Sequence, residues 1–506
     1  MQGVREQLPV GSAPHRTPSR FGSDRAGRSD HMALLLILSA SFMVVLDFSI
    51  VNVALPSIEH DLGFAAGNVQ WVVTAYAITF AGLLVAGGRA ADLFGRRRMF
   101  VIGLVGFAVA SLAAGMAQDP LLLVVARALQ GVAAAVVAPA ALSLITTGFP
   151  EGRERTRALG LYGATASVGF VAGQVLGGFL VEFTTWRAVF LVNVPVGLAA
   201  AVLAPRLVSK NQEGDRDLRL DLAGASLVIG ATAAAVFAVS EGAVLGWTSV
   251  VVGVAIGLAF LCAAGFVVVE RHHRHPLVRL DLLRAANLRT AGALTFLIGV
   301  WNAGEMLVLS LYLQQTLHDS PLVTGLAIAP QGIVGFVAGF FGARLSARLG
   351  IRRLLVLTGA ATTIGFLMIA HLPATGSYSP VLAAVTLIGF GTAGTSFGAT
   401  VTASAGMADE DQGLVGGVIN TARQVGAAFG AALLLAIAEG AGGAGGVATV
   451  VGDRHAMLAG AGAAAVATLV AWRSAWTADE SERDLIFTPE HHGELGAGRW
   501  AISRNV

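Results

Sequence analysis

The sequence predicts an all-α integral membrane protein, with two six-helix bundles and two additional transmembrane helices between them. Its composition, its apolar segments and an internal repeat carry this prediction. Of the 506 residues, 55% are hydrophobic and 13% are charged. Soluble domains carry about 25% charged residues, so most of this chain does not face water. The single cysteine, Cys262, excludes an intrachain disulfide and a cysteine metal cluster. The net charge of +2 indicates no acidic partner.

Fourteen apolar segments follow one another along the chain. Each has about the 17–25 residues that a membrane-spanning helix needs. They lie at 33–55, 69–88, 100–118, 121–146, 157–181, 187–205, 221–240, 249–269, 290–315, 325–346, 354–371, 380–400, 414–438 and 455–475. The first segment is longer than a cleavable signal and follows a long polar leader, so we expect it to be a permanent span.

The polar segments predict the domain boundaries. We expect a disordered cytoplasmic tail at 1–31, a first bundle at 32–205, a linker with two inserted helices at 206–270, a second bundle at 271–475 and a cytoplasmic tail at 476–506. Arginines concentrate in alternate loops. Basic residues favour the cytoplasmic side of a membrane. We therefore expect a multi-pass protein of the cytoplasmic membrane with both termini in the cytoplasm.

Two loop segments form a repeat. GRAADLFGRRRMF at 88–100 follows the second span, and GARLSARLGIRRL at 342–354 follows the tenth. A simple six-plus-six chain would place the copies six spans apart, and here they are eight spans apart, which indicates two inserted helices. Parallel repeats of six helices are a known transporter plan. The alternative is that arginine-rich turns with glycines are ordinary cytoplasmic loops.

Asp47 and Arg127 are charged residues inside predicted spans. Asp47 lies eight residues before the outer end of the first segment, about 12 Å deep, and Arg127 lies six residues into the fourth, about 9 Å deep. Their similar depth makes pairing across the bundle plausible. A central carboxylate costs about 2.5–3.5 kcal/mol on insertion scales, and such charges usually mark pathways. A static ion pair that orients two helices is the alternative.

Four further polar residues are candidates for proton coupling or substrate contact. Glu305 lies about 15 Å below the outer end of the ninth span, and it is either a proton site or a contact for a cationic substrate; a shifted span end would put it near the interface. Arg423 could pair with an anionic substrate or only cap a helix contact. Asn52 and Gln130 could extend a polar strip towards a cavity, or form inter-helix hydrogen bonds.

The first loop copy combines an acidic residue, a glycine turn and arginines at the end of the second span. Asp92 is expected just beyond a helix end, where it can hold a neighbouring helix through backbone amides or arginines. Gly95 permits a tight turn, Arg96 and Arg97 follow it, and Gly88 begins the motif. Topology alone would also account for the arginines. The second copy has Ser346 in the place of Asp92, so it lacks the carboxylate that would hold a neighbouring helix.

The fifth span carries a face of small residues. Gly169, Gly173 and Gly177 recur every fourth residue, and Gly178 follows. Small faces let membrane helices approach closely, which is also the generic reading of this pattern. Gln174 interrupts the face, and either the helix bends less there or Gln174 faces the pathway.

Several stretches together resemble the major facilitator superfamily. They are VLDFSIVNVALP (45–56), GRAADLFGRRRMF (88–100), ARALQGVAAA (126–135), WRAVFLVNVPVG (186–197) and DEDQGLVGGVINTARQVGAAFG (409–430). With fourteen spans, the chain is similar to the fourteen-helix drug:proton antiporter branch of that superfamily. The resemblance covers about residues 33 to 475.

The resemblance implies two bundles that rock around a central site and exchange protons for lipophilic compounds. It places Asp47 and Arg127 in motifs linked to proton coupling, and it makes the 88–100 loop a cytoplasmic latch that closes the outward-facing state. In the antiporter motif of this family a Gly-Pro pair is usual, and Gln174 stands here in place of the proline.

The expected function is proton-coupled efflux of lipophilic drugs or antibiotics by alternating access. The expected partners are a lipophilic small molecule, protons and membrane lipids, with no nucleic acid and with a monomer as the expected state. No phosphate-binding G-x-x-x-x-G-K-[ST] and no H-E-x-x-H motif is present, so we expect no enzyme, cofactor or metal. The tract ERHHRH at 270–275 is expected to be a solvated basic loop. An exporter of one metabolite or anion, or a sensor without flux, remain alternatives.

Overall fold

A computed structural model describes residues 24–64, 68–149, 153–208, 222–272, 285–372, 378–405, 407, 412–440 and 450–474 of the chain. Helices account for nearly all of this part, and no strand occurs in it. The prediction of an all-α protein is confirmed. Residues 1–23 of the predicted N-terminal tail, and the predicted C-terminal tail at 476–506, lie outside the described residues.

Fourteen helices coincide with the fourteen predicted segments. The first six are α1 (Asp24–Leu62), α2 (Trp71–Phe94), α3 (Arg96–Gly115), α4 (Pro120–Gly148), α5 (Arg153–Phe183) and α6 (Ala188–Leu207). The next two are α7 (Leu222–Leu245) and α8 (Val250–His272). The last six are α9 (Ala286–Leu311), α10 (Pro321–Leu349), α11 (Ile351–Ala370), α12 (Tyr378–Ser404), α13 (Gln412–Gly440) and α14 (Val450–Arg473).

Twelve helices in the described part of the chain are long and apolar enough to cross a membrane. A thirteenth, α2, passes the same test as two segments, Trp71–Leu84 and Ala86–Phe94, that are bent by 52°. The fourteenth, α7, contains a shorter apolar stretch, Ala223–Val239. The fourteen helices are therefore observed, whereas a full crossing by α7 stays a prediction.

The start of α1 corrects one predicted boundary. Residues 24–31 were expected to belong to the disordered tail, but they form the first turns of α1, which runs without a break to Leu62. Once a long apolar helix exists, each added residue gains a hydrogen bond without a new nucleation cost. The polar residues therefore extend the helix beyond the predicted span.

Local signals explain several helix ends. The Asp119 side chain accepts a hydrogen bond from the Leu122 amide at 2.9 Å, and Pro120 occupies the first turn of α4. Ser320 caps α10 in the same way, followed by Pro321. These pairs satisfy free amides and use the preset backbone angle of proline.

The repeated loops have the same structure in both halves. Gly95 and Gly350 separate α2 from α3 and α10 from α11, with φ of 94° and 78° that glycine adopts without strain. Arg97 donates to the carbonyls of Pro205 and Val208 at the end of α6. Arg352 donates to the Trp472 carbonyl at the end of α14, 2.7 Å away. The repeat is therefore structural as well as sequential.

The turn glycines also correct the alignment of the two copies. Asp92 lies three residues before Gly95, and the residue three before Gly350 is Ala347 rather than Ser346. The difference arises because seven residues separate Gly342 from Gly350, whereas six separate Gly88 from Gly95. The Ser346 hydroxyl donates to the Ala343 carbonyl of its own helix.

The two halves use the same packing scheme. In the first half α1 packs on α5, α2 on α4, and α3 on α4 and α6. In the second half α9 packs on α13, α10 on α12, and α11 on α12 and α14. Between the halves, α5 packs on α10 and α2 packs on α13. This equivalence supports the two predicted bundles, whose boundaries stay a prediction.

The helix α7 bridges the two halves on one side. It packs against both α2 and α13, and α8 packs on α7. Val236 and Val239 of α7 lie in one cluster with Ile78 of α2 and Ala428 of α13. The inserted pair therefore covers the seam between α2 and α13, while α5 and α10 meet directly.

The molecule is sealed at one end. We call the end that holds Asp61 and Trp186 the sealed end, and the end that holds Asp92 and Arg96 the arginine end. An apolar cluster at the sealed end contains residues of both halves, including Ile50 and Leu307. Side chains of α9 and the π-helical turn after it also donate to the first half. Ser310 bonds the Asn52 carbonyl at 2.9 Å, Gln314 bonds the Val53 carbonyl at 3.0 Å, and Gln315 bonds the Glu59 carboxylate at 3.1 Å.

Candidate functional site

A buried ion pair joins α1 to α4. Arg127 Nη1 lies 2.6 Å from Asp47 Oδ2, and neither side chain is accessible to solvent. The pairing expected from the depths of the two residues is therefore present. Taking two charges out of water is costly unless hydrogen bonds satisfy their remaining donors and acceptors. The neighbours of the pair show how this requirement is met.

Two amide side chains, Asn193 of α6 and Gln130 of α4, complete the pair. Asp47 Oδ1 accepts from Asn193 Nδ2 at 2.7 Å and from Gln130 Nε2 at 3.1 Å. Gln130 also accepts from Arg127 Nη1 at 2.9 Å and donates to Ser111 Oγ at 2.7 Å. Gln130 thus forms inter-helix hydrogen bonds, the alternative to a polar strip towards a cavity. Asn193, which bonds Asp47, lies on α6, and Ser111, which bonds Gln130, lies on α3.

The guanidinium of Arg127 has further contacts with α2. Its Nε donates to the Val72 carbonyl at 2.8 Å, and the Tyr76 ring lies 4.5 Å from its central carbon. Phe190 of α6 faces it at 5.7 Å. One group, Arg127 Nη2, is buried without a hydrogen-bond partner. The Val72 carbonyl and the Tyr76 ring therefore stabilise the Arg127 cation independently of Asp47.

A cavity of about 460 Å³ lies between the two halves, on the arginine-end side of the apolar seal. Its first-half wall includes Phe48, Tyr76 and Phe80. Asp47 and Arg127 are not among its lining residues, whereas Tyr76 is. The Tyr76 side chain therefore lies between the cavity and the buried ion pair.

Glu305 is buried in the second half. Its side chain on α9 is fully inaccessible, and its Oε2 accepts from Gln331 Nε2 of α10 at 3.0 Å. Its other oxygen has no hydrogen-bond partner. The residue therefore lies in the packed interior of the protein, while its depth relative to the membrane interface stays a prediction. It does not line the cavity.

Arg423 lines the cavity. Its Nη2 donates to Asn420 Oδ1, one turn earlier on α13, at 2.8 Å. It forms no ion pair within the described part of the chain. The side chain is exposed and lines the space between the halves. Its positive charge can therefore contact a molecule bound in that space.

Asn52 lies apart from the ion pair. Its side-chain amide donates to the Phe48 and Ser49 carbonyls of its own helix at 3.1 and 3.3 Å. Its backbone carbonyl accepts the bond from Ser310 described above. Asn52 therefore belongs to the seal between the halves, and does not extend the polar group around Asp47.

The glycine face of α5 packs on α1. A Cβ atom at Gly173 would lie 2.6 Å from Ser49 Oγ, and one at Gly177 would lie 2.8 Å from the Ile50 carbonyl oxygen. Gly169 faces Val45. The predicted close approach of two helices is thus observed.

The two remaining residues of this motif, Gln174 and Gly178, contact the second half. A Cβ atom at Gly178 would lie 2.7 Å from the Leu322 Cα of α10. Gln174 is buried, donates to Ser49 Oγ at 3.2 Å and reaches Met306 Sδ of α9 at 4.0 Å. Gln174 therefore packs within the seam and does not line the cavity.

The 88–97 motif forms an ion pair within itself. Asp92 was expected just beyond a helix end, but it lies in the last turn of α2, which continues to Phe94. Arg96 Nη2 lies 3.1 Å from Asp92 Oδ1, and both side chains are partly exposed. Arg97 holds the end of α6, Gly95 forms the turn, and Gly88 faces Pro139 of α4. These contacts all lie within the first half, so no bond of Asp92 across the cavity occurs among the residues that the structure describes.

The described residues contain no cluster of three metal-ligating side chains. Most of the 270–275 tract lies outside them, and the His272 ring bonds the Val268 carbonyl of its own helix. A G-x-S-x-G sequence at 394–398 lies inside α12 rather than at a strand-to-helix turn. The geometry of a hydrolase nucleophile is therefore missing from that segment.

Three residues of this site were not predicted. Asn193 was visible in the motif WRAVFLVNVPVG as a polar residue within an apolar span. Ser111 and Tyr76 gave no signal of their own, because serine and tyrosine are common in membrane helices. Their role depends on which helix each one faces.

Known proteins resemble this chain in both sequence and structure. The model of the Major Facilitator Superfamily matches residues 37–220 and 212–431. Puromycin resistance protein pur8 of Streptomyces alboniger is 41% identical over 415 residues, 81% of this chain and 82% of that protein. Cephamycin export protein CmcT of Amycolatopsis lactamdurans is 39% identical over 82% of this chain and 87% of that protein. Multidrug resistance protein Stp of Mycobacterium tuberculosis is 34% identical over 80% and 75%.

Solved structures show the same fold at low identity. A bacterial homologue of the human lysosomal transporter Spinster, in an inward-facing and unoccupied conformation, has a TM-score of 0.63 at 14% identity, covering 90% of this chain and 98% of that one. A peptide transporter POT has a TM-score of 0.65 at 14% identity, covering 87% and 93%. The chain belongs to the major facilitator superfamily and is a multi-pass membrane transporter. The predictions of family and of a non-enzyme are confirmed.

Proposed function

We propose that this member of the major facilitator superfamily exports lipophilic drugs or antibiotics across the cytoplasmic membrane in exchange for protons. The observation that carries the proposal is the Asp47–Arg127 pair. It joins α1 to α4 in the first half, and both side chains are fully buried. The names of the relatives, which are resistance and export proteins, support the direction of transport.

The conformation supports alternating access with an inward-facing state. The apolar seal and the bonds from Ser310, Gln314 and Gln315 close one end, and the cavity lies towards the other. Because the arginine end carries Arg96, Arg97 and Arg352, the positive-inside rule places it in the cytoplasm. Both termini are then cytoplasmic, and the cavity receives its cargo from that side.

The proton acts on Asp47. As a carboxylate, Asp47 accepts from Arg127, Asn193 and Gln130 at once. A proton added to one of its oxygens cancels the charge and turns that oxygen into a donor, so these bonds weaken together. Arg127 then keeps the Val72 carbonyl and the Tyr76 ring as partners. Because Tyr76 also lines the cavity, a change at the pair reaches the cargo site through one side chain.

The transition to an outward-facing state requires the bonds of the seal to break and the arginine end to close. Asp92 is 44% exposed, and within the described residues its ion pair is with Arg96 of its own half. We propose that the 88–97 loop contacts the second half when the arginine end closes, and so stabilises the outward-facing state.

A second candidate function is export of one dedicated metabolite. The relatives named for puromycin and cephamycin favour it, because each name gives a single compound. A competition screen distinguishes the two functions. A multidrug pump accepts several unrelated lipophilic compounds, whereas a dedicated exporter is inhibited by one chemical series.

Proteoliposomes with an imposed pH gradient test the proposal. We expect gradient-driven flux of a lipophilic fluorescent compound or of a labelled antibiotic with the wild-type protein, and loss of that flux with Asp47→Asn. Folded protein that moves none of the compounds under any gradient would refute the proposal.

The orientation is tested separately in a Cys262→Ser background. Thr147→Cys at the arginine end and Thr184→Cys at the sealed end are both exposed. An impermeant maleimide added to intact cells should label only the second. Labelling of the first alone would reverse the orientation.

A further inference from the structure

The cavity between the two halves has walls of different chemistry. The wall from α1 and α2 is aromatic: the Phe48 and Tyr76 rings lie 6.2 Å apart, and the Tyr76 and Phe80 rings lie 5.8 Å apart. Phe170 of α5 adds a fourth ring to the lining. These rings offer a broad apolar surface for the flat or polycyclic part of a small molecule.

The opposite wall, from α9, α12 and α13, is polar. Side chains able to donate or accept hydrogen bonds line it, among them Asn302, Thr392, Ser396, Asn420 and Gln424. Arg423 stands among them and carries a full positive charge. A site that buries an apolar body and orients it with a few polar groups is typical of small-molecule pockets, and about 460 Å³ lies within their usual size.

The charges of this cavity are of one sign. Arg423 lines it, while none of its lining residues in the described part of the chain is an aspartate or glutamate. The two buried acids of the helices are held elsewhere: Asp47 is enclosed by Arg127, Asn193 and Gln130, and Glu305 is bonded to Gln331. Neither carboxylate is directed at the cargo in this state.

The bonding of Arg423 leaves most of its capacity unused. A guanidinium has five donor hydrogens in a planar fork that matches a carboxylate. The bond assigned to Arg423 within the described residues goes to the neutral amide of Asn420. An uncompensated charge inside a membrane protein is costly and usually serves a substrate or ion pathway.

We infer that the cavity binds a lipophilic organic acid as its anion, with the acidic group on Arg423 and an aromatic or polycyclic body against Phe48 and Tyr76. This rests on the proposed function in one respect, that the cavity holds the cargo. It narrows the substrate class, because a lipophilic cation would meet a like charge at Arg423 and no carboxylate.

Equilibrium binding to the purified protein in detergent tests the inference without transport. The probes are fluorescein, an aromatic carboxylic acid, and ethidium, an aromatic cation, each followed by fluorescence polarisation. We expect fluorescein to bind the wild type more tightly than ethidium. Arg423→Gln should weaken fluorescein binding by about 10- to 100-fold, the loss expected for one charge-assisted contact, and should not weaken ethidium binding.

Two variants guard against trivial explanations. Arg423→Lys keeps the charge and should retain part of the fluorescein affinity, which shows that the cation matters. Arg344→Gln makes the same charge change at an exposed arginine that does not line the cavity, and it should leave both probes unaffected. Size-exclusion profiles and thermal melting of each variant report whether the fold is kept.

The outcomes separate this inference from the proposed function. Tighter binding of ethidium than of fluorescein, or fluorescein binding that a folded Arg423→Gln protein retains in full, would overturn the inference while leaving proton-coupled export intact. Arg423-dependent binding of fluorescein supports the inference even where flux under a pH gradient is absent, a result that would count only against the proposed function.

Discussion

The Tyr76 ring lies 4.5 Å from the guanidinium carbon of Arg127 and also forms part of the cavity wall. One side chain therefore contacts both the buried ion pair and the space for the cargo. In this conformation the ion pair has no direct contact with that space. If the proposed proton exchange occurs at Asp47, it reaches the cavity through the packing of α2 rather than through direct competition for one carboxylate.

Asp47→Asn should abolish proton coupling. The amide keeps the shape of the carboxylate and can still accept from Arg127, but it cannot exchange a proton. We expect gradient-driven flux to fall at least about tenfold, equivalent to about 1.4 kcal/mol of lost coupling, while the protein still reaches the membrane. Flux in proteoliposomes and the membrane content of the protein are the measurements. Full gradient-driven transport by this variant would remove Asp47 from the mechanism.

Glu305→Gln distinguishes two roles for the second buried acid. Glutamine can keep a hydrogen bond to Gln331 but carries no titrating proton. Since Glu305 does not line the cavity, we expect flux under a pH gradient to fall about tenfold and cargo binding to stay unchanged. Paired flux and binding assays make the comparison. Weaker binding of a cationic compound with normal coupling would instead make Glu305 a substrate contact.

Asp92→Asn should slow transport without loss of the fold. The Asp92–Arg96 pair is partly exposed, and such pairs contribute about 0–1 kcal/mol. We expect the rate to fall about two- to fivefold, with normal membrane expression. Ser346→Ala is the matched control, because that hydroxyl bonds only its own helix and its loss should leave the rate as it was. Equal rates for wild type and Asp92→Asn would reject the latch.

Gly173→Ala should destabilise the contact between α1 and α5. Its Cβ would lie 2.6 Å from Ser49 Oγ and 3.0 Å from the Ile50 amide nitrogen, so the helices must separate. Overpacking of this kind costs about 1–3 kcal/mol. Gly163→Ala, on the same helix, has no atom within 4 Å of its new Cβ and should be neutral or stabilising. Thermal melting in detergent compares the two, and equal melting temperatures would contradict the tight seam.

Gln315→Glu should weaken the sealed end. The new carboxylate would face Glu59, whose oxygen now accepts from Gln315 at 3.1 Å. Two like charges about 4 Å apart repel by about 1 kcal/mol even in water, a population shift of about fivefold towards the outward-facing state. Gln315→Leu removes the same bond without adding charge and should have a smaller effect.

The readout for this pair of variants is the distance between spin labels at the arginine end. Labels at Thr147→Cys and Ser346→Cys in a Cys262→Ser background should approach each other as that end closes. A distance distribution that does not change with Gln315→Glu would show that this contact does not hold the seal.

Much of the fold follows from simple features of the chain. Apolar length places the helices, and the repeated loops at Gly95 and Gly350 predict two equivalent halves. The depths of Asp47 and Arg127 along their helices predict their pairing. The boundary at residue 31 was wrong, because a helix can extend into polar residues that hydropathy assigns to a tail. The alignment of Ser346 with Asp92 was wrong, because the second copy has one more residue before its turn glycine.

The sequence alone determined that the chain crosses the membrane, how many helices it forms, and how deep each charge lies, because hydropathy and the rise of 1.5 Å per residue measure position along a helix axis. Only the tertiary structure decided what each charge faces. It directs Arg423 into the cavity, encloses Asp47 behind Tyr76 and assigns Asn52 to the seal. The physical reason is that the rotation of a helix about its axis is chosen by the packing of all its neighbours, through small faces such as that of Gly173 on Ser49.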